Sequence, residues 1–438
     1  MNARFSASPG RRRALALLAR GVLMLLVPRH LRAAAPMPVV VLTGYPEEMT
    51  SRFEAAFAKA HPQYRLSIRW YHGAEALSLL SGPGQGGVDV YWAASPRTFD
   101  RLKAAGAFQS AGIDRDGLPD HVGGTRISDA DGYYLATELA GYGFVFDAAE
   151  LGRLGVAVPR DWTDLADPRL AGRIALPNPA RVGFAQVMAD IVLQSYGWER
   201  GWALWSEIAG LSVLVGSGGR RVAEAVGPGR AAIGLSIDFL AAAAIAGGAP
   251  LGFAYPRHGG INPAHIAITA GAPNPDGARA FARFVLSGEG QRLLADPDIR
   301  RLPVRPAVYA GLPVGYHDPF AAAAAGGYAY DNAAGRDRLA LVASAFEQMY
   351  VQGHEHLAAL WGRIHAAERR GLDARAMRAR LCAPPLSETE AAAPVMLARF
   401  RDRPDGAEGA PRRVEIDWQW AAAKARSEVG RMLDEAGA

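Results

Sequence analysis

Cysteine is almost absent: Cys382 is the one thiol in 438 residues. A single thiol forms no internal disulfide and no cysteine metal cluster. It sits in the run Leu381-Cys382-Ala383-Pro384-Pro385, which reads as a helix end entering a turn, so no nucleophilic role is assigned to it. The ten histidines show no metal-ligand spacing, and His354 and His356 fall on different faces of a helix. No Lys-Ser/Thr pair follows a Gly-rich loop, which removes support for nucleotide hydrolysis. No nucleophile stands beside a positioned base, so the chain is not read as an enzyme, and no cofactor or metal is expected. Beyond the first 35 residues, no stretch approaches the roughly eighteen uninterrupted apolar residues of a membrane span.

Acidic side chains are missing from residues 1–35, which carry seven arginines. Arg11-Arg12-Arg13, an apolar run over 14–27 and the small residues Ala33-Ala34-Ala35 read as a secretory signal peptide. The whole chain has a net charge of +5. Without the leader, 41 basic residues face 43 acidic ones, a net charge of −2. The basic excess therefore belongs to the leader, and a nucleic-acid partner is not expected. The reading predicts an exported, periplasmic monomer.

What is present is alternation. Apolar runs at 38–43, 65–70 and 88–92 are separated by helical periodicity over 47–61 and 74–80. Strands and helices of this length predict βαβ units and a doubly wound α/β sheet. Ligands bind beyond the carboxyl ends of such strands, which here are Thr43-Gly44-Tyr45 and Trp92-Ala93-Ala94-Ser95. Residues 133–147 read as two extended runs broken at Ala140-Gly141. A strand at 174–176, a helix after Arg181, a Trp-rich helix over 198–209 and strands at 232–235 and 251–255 follow. Residues 264–269 form another strand. Asn274 then reads as an N-cap, Pro275 as the first helical position, and Phe281, Phe284 and Val285 as the buried face. A second short helix is placed at 291–295. Residues 321–327 read as a low-complexity link, 336–369 as one long helical run, and 374–381, 387–400 and 416–433 as further helices.

The word order of residues 262–309 carries a resemblance. NPAHIAITAGAPNP at 262–275, AFARFVLSGEGQRLL at 280–294 and LPVRPAVY at 302–309 resemble the closing segment of periplasmic solute-binding proteins of ABC importers. That group includes binders of iron(III), phosphoglycerate and hexose phosphates. The resemblance covers about residues 39–309. It implies a two-lobed type II periplasmic-binding fold with a C-terminal helical extension. The division it implies is a signal peptide at 1–35, lobe 1 at 36–140, lobe 2 at 141–260, a return to lobe 1 at 261–310 and the extension at 311–438. Two crossings would form the hinge, with Gly141, Gly143, Gly259 and Gly260 giving freedom to bend. The extension is expected to be dispensable for affinity.

Candidate ligand residues follow from strand ends and turns: Tyr45, Trp92, Ser95, Arg97, Tyr142, Asp238 and Asn262. Ser217 and Gly218, in a Gly-rich turn before Arg220-Arg221, are candidates for an anion-binding concavity. Asn178, Arg181, Gly183 and Gln186 lie where the resemblance places a ligand loop and helix start. The organic-phosphate binders typically carry small hydroxyl residues and a His there, whereas this chain has Val182, Phe184, Ala185 and Gln186. Phe239 and Leu240 stand where iron(III) binders place adjacent tyrosines, and neither can ligate ferric iron. The expected solute is thus an organic anion, a phosphorylated compound or a more apolar molecule. The expected protein partner is an ABC permease in the inner membrane. The alternative is a sensor that signals to a membrane kinase through its C-terminal helices.

Overall fold

A computed structural model describes residues 35–216, 219–401 and 412–438. The leader ahead of residue 35, and Ser217 and Gly218, lie outside these residues.

Three parallel strands open the fold: β1 (Met37–Thr43), β2 (Tyr64–Trp70) and β3 (Val90–Ala93), with β1 between the other two. Two-residue strands β4 (Phe108–Gln109), β5 (His121–Val122) and β6 (Thr125–Arg126) follow, the last two pairing as a hairpin. β7 (Tyr134–Phe146) is long, and β8 (Ile174–Pro177), β9 (Ser212–Val215), β10 (Ile233–Ile237) and β11 (Gly252–Ala254) come next. β12 (Ile261–Thr269) and β13 (Leu302–Pro303) complete the set. The main path runs β2-β1-β3-β12-β7-β10-β8-β9, with β4, β11 and β13 paired off it. The sheet is mixed, because β3, β12, β7 and β10 pair antiparallel in turn.

The apolar side chains divide into two large cores. The first gathers Val39, Phe53, Phe57, Trp92, Leu139, Ile266, Phe281 and Phe284. Helix Glu47–Ala60 meets it through Phe53, whose ring stands edge-on to Trp92 at 4.9 Å, and through Phe57, edge-on to Phe281 at 5.3 Å. Helix Pro275–Leu286 starts as its sequence dictates: the Asn274 side chain accepts the Gly277 N–H at 3.0 Å and Pro275 occupies the first turn.

The second core gathers Tyr142, Phe144, Trp162, Trp198, Trp202 and Trp205, and it takes much of the C-terminal chain with them. Trp205 packs edge-on to Phe346 at 5.3 Å, and the Tyr350 hydroxyl donates to the Trp202 carbonyl at 2.9 Å. Gly210 lies flat under Trp361; a Cβ there would come within 2.1 Å of the indole. The C-terminal chain is therefore part of a lobe's core rather than an appendage to it. Tyr328 belongs to the first core and Tyr330 to the second. Three segments, not two, thus pass between the cores.

Several local expectations give way to packing. Residues 134–146 form one unbroken strand, with its first part paired to β12 and its last part to β10. Gly141, Gly143, Gly259 and Gly260 each stand where a neighbour approaches closely. A Cβ at Gly143 would come within 2.3 Å of the Ala254 carbonyl oxygen, and one at Gly141 within 2.5 Å of the Tyr255 ring. The run over 336–369 is interrupted. Helix Leu339–Phe346 widens into a π turn at Glu347–Val351, then the chain turns at Gly353 (φ 72°) before helix His354–Arg369. Pro394 splits the next run into Glu388–Ala392 and Pro394–Arg401. The expected link at 321–327 contains part of helix Pro319–Ala324.

Candidate functional site

A cavity of about 310 Å³ lies between the two cores. On the first-core side it is walled by Ser95, Pro96, Arg97 and Asp100, from the start of helix Pro96–Ala104 just beyond the carboxyl end of β3. On the other side stand Gly183, Phe184, Gln186 and Val187, from the first turn of helix Gly183–Tyr196. Neither helix start has a side chain capping its first N–H groups. Each helix therefore brings the positive end of its dipole to the cavity. Arg97 donates to the Gln186 amide oxygen at 3.1 Å, a hydrogen bond that spans the cleft.

β7 and β12 form the floor with Tyr142, Ile261, Asn262 and Pro263, and Ile237 and Phe239 come from the end of β10 and the first turn of helix Asp238–Ala246. Burial pushes the Tyr142 hydroxyl well above its ordinary range, with Arg97 opposing the shift. Beneath Phe239 the Arg301 guanidinium lies 4.2 Å from the ring centre, and 5.1 Å from that of Tyr45. Its neighbour Asp238 is buried and accepts from the Gly141 N–H at 2.8 Å and the Tyr255 hydroxyl at 3.1 Å. Burial pushes this carboxyl up to about 6, and the bonds from Gly141 and Tyr255, with the charge of Arg301, hold it from rising further.

Of the thirteen residues singled out from the sequence, the cavity brings together Ser95, Arg97, Tyr142, Gly183, Gln186 and Asn262. Asp238 sits just under the wall, between Ile237 and Phe239. Tyr45 and Trp92 are drawn into the first core instead. Their rings meet at 4.8 Å, and the Trp92 indole N–H donates to the Thr137 hydroxyl at 3.0 Å. Asn178 is also buried: its side-chain oxygen accepts the Ala180 N–H at 2.9 Å and its amide meets Glu347. Arg181 lies in an exposed turn ahead of its helix and is not in the wall.

The wall also contains residues the sequence did not flag. Asp100 follows Arg97 by three positions, so one face of a helix presents both, a signal the sequence does hold. Tyr330, Asn332, Arg336 and Leu339 come from the C-terminal chain, and no local pattern announces them. Residues beyond 310 therefore line the same cavity as the two helix starts.

Similarity to known proteins fits this architecture. The profile of the bacterial extracellular solute-binding protein family matches residues 88–318. The chain belongs to that family. The solute-binding protein is 30% identical over 172 residues to the phosphoglycerate transport regulatory protein PgtC of Salmonella typhimurium, a match covering 39% of this chain and 43% of the relative. It is likewise 30% identical over 165 residues to an uncharacterized protein of Haemophilus influenzae, covering 37% and 48%. The chain thus spans less than half the length of the curated relatives it matches. Among solved structures, a Bordetella ferric binding protein aligns with a TM-score of 0.54 at 18% identity, over 70% of this chain and 98% of that one. Iron-bound HitA of Pseudomonas aeruginosa aligns at 0.53 and 16% identity, over 66% and 92%. The periplasmic binding protein AfuA of Actinobacillus pleuropneumoniae, with fructose-6-phosphate bound, aligns at 0.51 and 19%, over 69% and 96%. These likenesses show the type II periplasmic-binding fold. In this solute-binding protein, no helix among the described residues is long and apolar enough to cross a membrane.

Proposed function

We propose that the chain is the periplasmic substrate-binding component of an ABC importer and that its solute is a small organic anion held in the cavity between the two cores. The observation that carries this reading is the convergence of charge at one place. Two uncapped helix starts, Arg97 and Arg336 meet around a mostly apolar cavity, against the carboxylate of Asp100. Guanidinium groups and free backbone N–H groups bind phosphate and carboxylate oxygens by charge-assisted hydrogen bonds. The relative whose name includes phosphoglycerate and the fold neighbour with fructose-6-phosphate support the same class. The lack of hydroxyl side chains at 182–185 favours contact through arginine and backbone over a hydroxyl-lined phosphate pocket. Phe239 gives the wall a ring face in place of a metal ligand.

A solute touching both sides would shift the molecule toward a closed form only through its differential affinity, and about 5.5 kcal/mol takes such a form from rare to dominant. Calorimetry of the leader-free protein with phosphomonoesters, di- and tricarboxylates, ferric citrate and neutral sugars tests the reading. Binding of one anion class, with compaction in small-angle scattering at saturation, is expected. Binding restricted to ferric ion or neutral sugars would sink it.

Sensing is the second reading, favoured by the word "regulatory" in the name of the Salmonella relative. Transport reconstituted with a permease would support import; ligand-dependent activation of a membrane kinase would support sensing.

A further inference from the structure

We propose that residues 328–339 are a third wall of the solute site, and that Arg336 in this segment leaves Asp100 to clasp the anionic group of the solute. The proposal rests on the anion reading above and adds to it a residue outside the two-lobed frame.

The segment is stitched to both sides of the cleft. Toward the first core it runs along the β5–β6 hairpin. The Gly124 N–H donates to the Tyr328 carbonyl at 2.9 Å and the Thr125 hydroxyl to the Tyr330 carbonyl at 2.9 Å. The Asn332 side chain exchanges two hydrogen bonds with the Arg126 backbone, at 3.0 and 3.2 Å. Glycine at 124 makes this approach possible, because a Cβ there would stand 2.5 Å from the Ala329 carbonyl oxygen. Toward the second core, Asp331 and Gln194 exchange two hydrogen bonds of 2.9 Å.

Two arginines close the segment, and they differ in kind. Arg338 meets Asp190 at 2.6 Å, and the Asp190 side chain is fully buried. Removing either partner would strand a charge, so this pair is an anchor. Arg336 meets Asp100 at 3.1 Å, but half of its side chain is exposed and Asp100 is 26% exposed. Such a pair contributes little in water and is easily exchanged. Asp100 does not lose its only partner when Arg336 moves, because the Tyr134 hydroxyl donates to it at 2.5 Å. The geometry is that of a fixed base carrying a movable cationic arm. A planar guanidinium offers two parallel donors to a carboxylate or phosphate.

The test uses the full mature chain and calorimetry with a panel of phosphomonoesters and di- and tricarboxylates, with neutral sugars as the control. Wild-type protein should bind at least one anion. R336A should weaken that anion roughly 10- to 100-fold, as expected for lost hydrogen bonds to a charged group. R336K should recover part of the loss, since it keeps the charge without the fork. The ligand-free melting temperature of R336A should stay within about 2 °C of wild type, as a half-exposed pair implies. An R336A protein with wild-type affinity, alongside an R97A protein that loses binding, overturns the role of Arg336 while leaving the anion reading intact. Wild-type protein that binds only neutral sugars, or nothing in the panel, overturns both.

Discussion

The two cores of this solute-binding protein are closed in different ways. The first is completed by the return segment: Phe281 and Phe284 of helix Pro275–Leu286 cover Phe57 and Trp92, and β12 lies beside β3. The second is completed by the chain beyond residue 330. Trp198 donates its indole N–H to the Leu386 carbonyl at 2.8 Å, and Ser206 donates to the Leu381 carbonyl at 3.1 Å. Glu207 receives His365 and Arg378, both at 2.8 Å. The first core is thus closed by the return segment, and the second borrows its closure from the C-terminal chain.

Truncation after Ala310 probes this difference most severely. It should strip Phe346, Tyr350 and Trp361 from the second core, leaving Trp198, Trp202 and Trp205 without their cover. Near-ultraviolet circular dichroism should lose most of its tryptophan signal, and solute binding should vanish. A truncated protein that keeps both would bear out the expectation that the extension is dispensable for affinity.

Matched cavities then sharpen the comparison. Trp92→Ala and Trp361→Ala each empty a fully buried site, and each should cost about 3–5 kcal/mol. Native-state hydrogen exchange should localise the damage to the first core for W92A and to the second core plus the C-terminal helices for W361A. Damage spread evenly by both would show the cores to be one cooperative unit.

Arg338→Ala leaves Asp190 buried without its cation and should cost about 3 kcal/mol by chemical denaturation. The double variant R338A/D190N should recover part of that loss, since the stranded charge is gone. Failure to recover would place the cost in the lost packing of Arg338 over the Trp198 ring instead.

The smallest expected effect is a pH dependence at the seam between the cores. The folded Asp238 carboxyl sits at about 6 against an ordinary 3.8, so the native state holds more protons than the unfolded one between those values. Its contribution to stability is fully present below about 3.8 and is lost as pH rises toward 6. Buried His265 and His317, both pushed down to about 4, act in the opposite direction over much of the same window. The readout is therefore the difference between wild type and D238N. Relative to the variant, wild type should lose stability between pH 4 and 6, by on the order of 2–3 kcal/mol at most. Parallel pH profiles would show that Asp238 is not perturbed.

Local chemistry was legible in the sequence wherever near neighbours decide the outcome. Asn274 and Pro275 begin a helix because a cap and a fixed φ act within one turn. The strands at 37–43 and 90–93 are apolar because a sheet covered on both faces requires it. Arg97, Tyr142, Gln186 and Asn262 reach the cavity because strand ends and helix starts face the cleft in this architecture. Side-chain direction at those ends was not legible. Tyr45 and Trp92 are as plausible on paper as Ser95, yet the Trp92 ring packs against Phe53 and Phe281, and the Tyr45 ring packs against Trp92. The continuity of β7 also needed the fold, since Gly141 looks like a break until Tyr255 is seen against it. Arg336 and Asn332 stand more than 200 residues from Asp100 and Arg126. No periodicity spans such a separation; only the packing of the C-terminal chain against both cores brings them together.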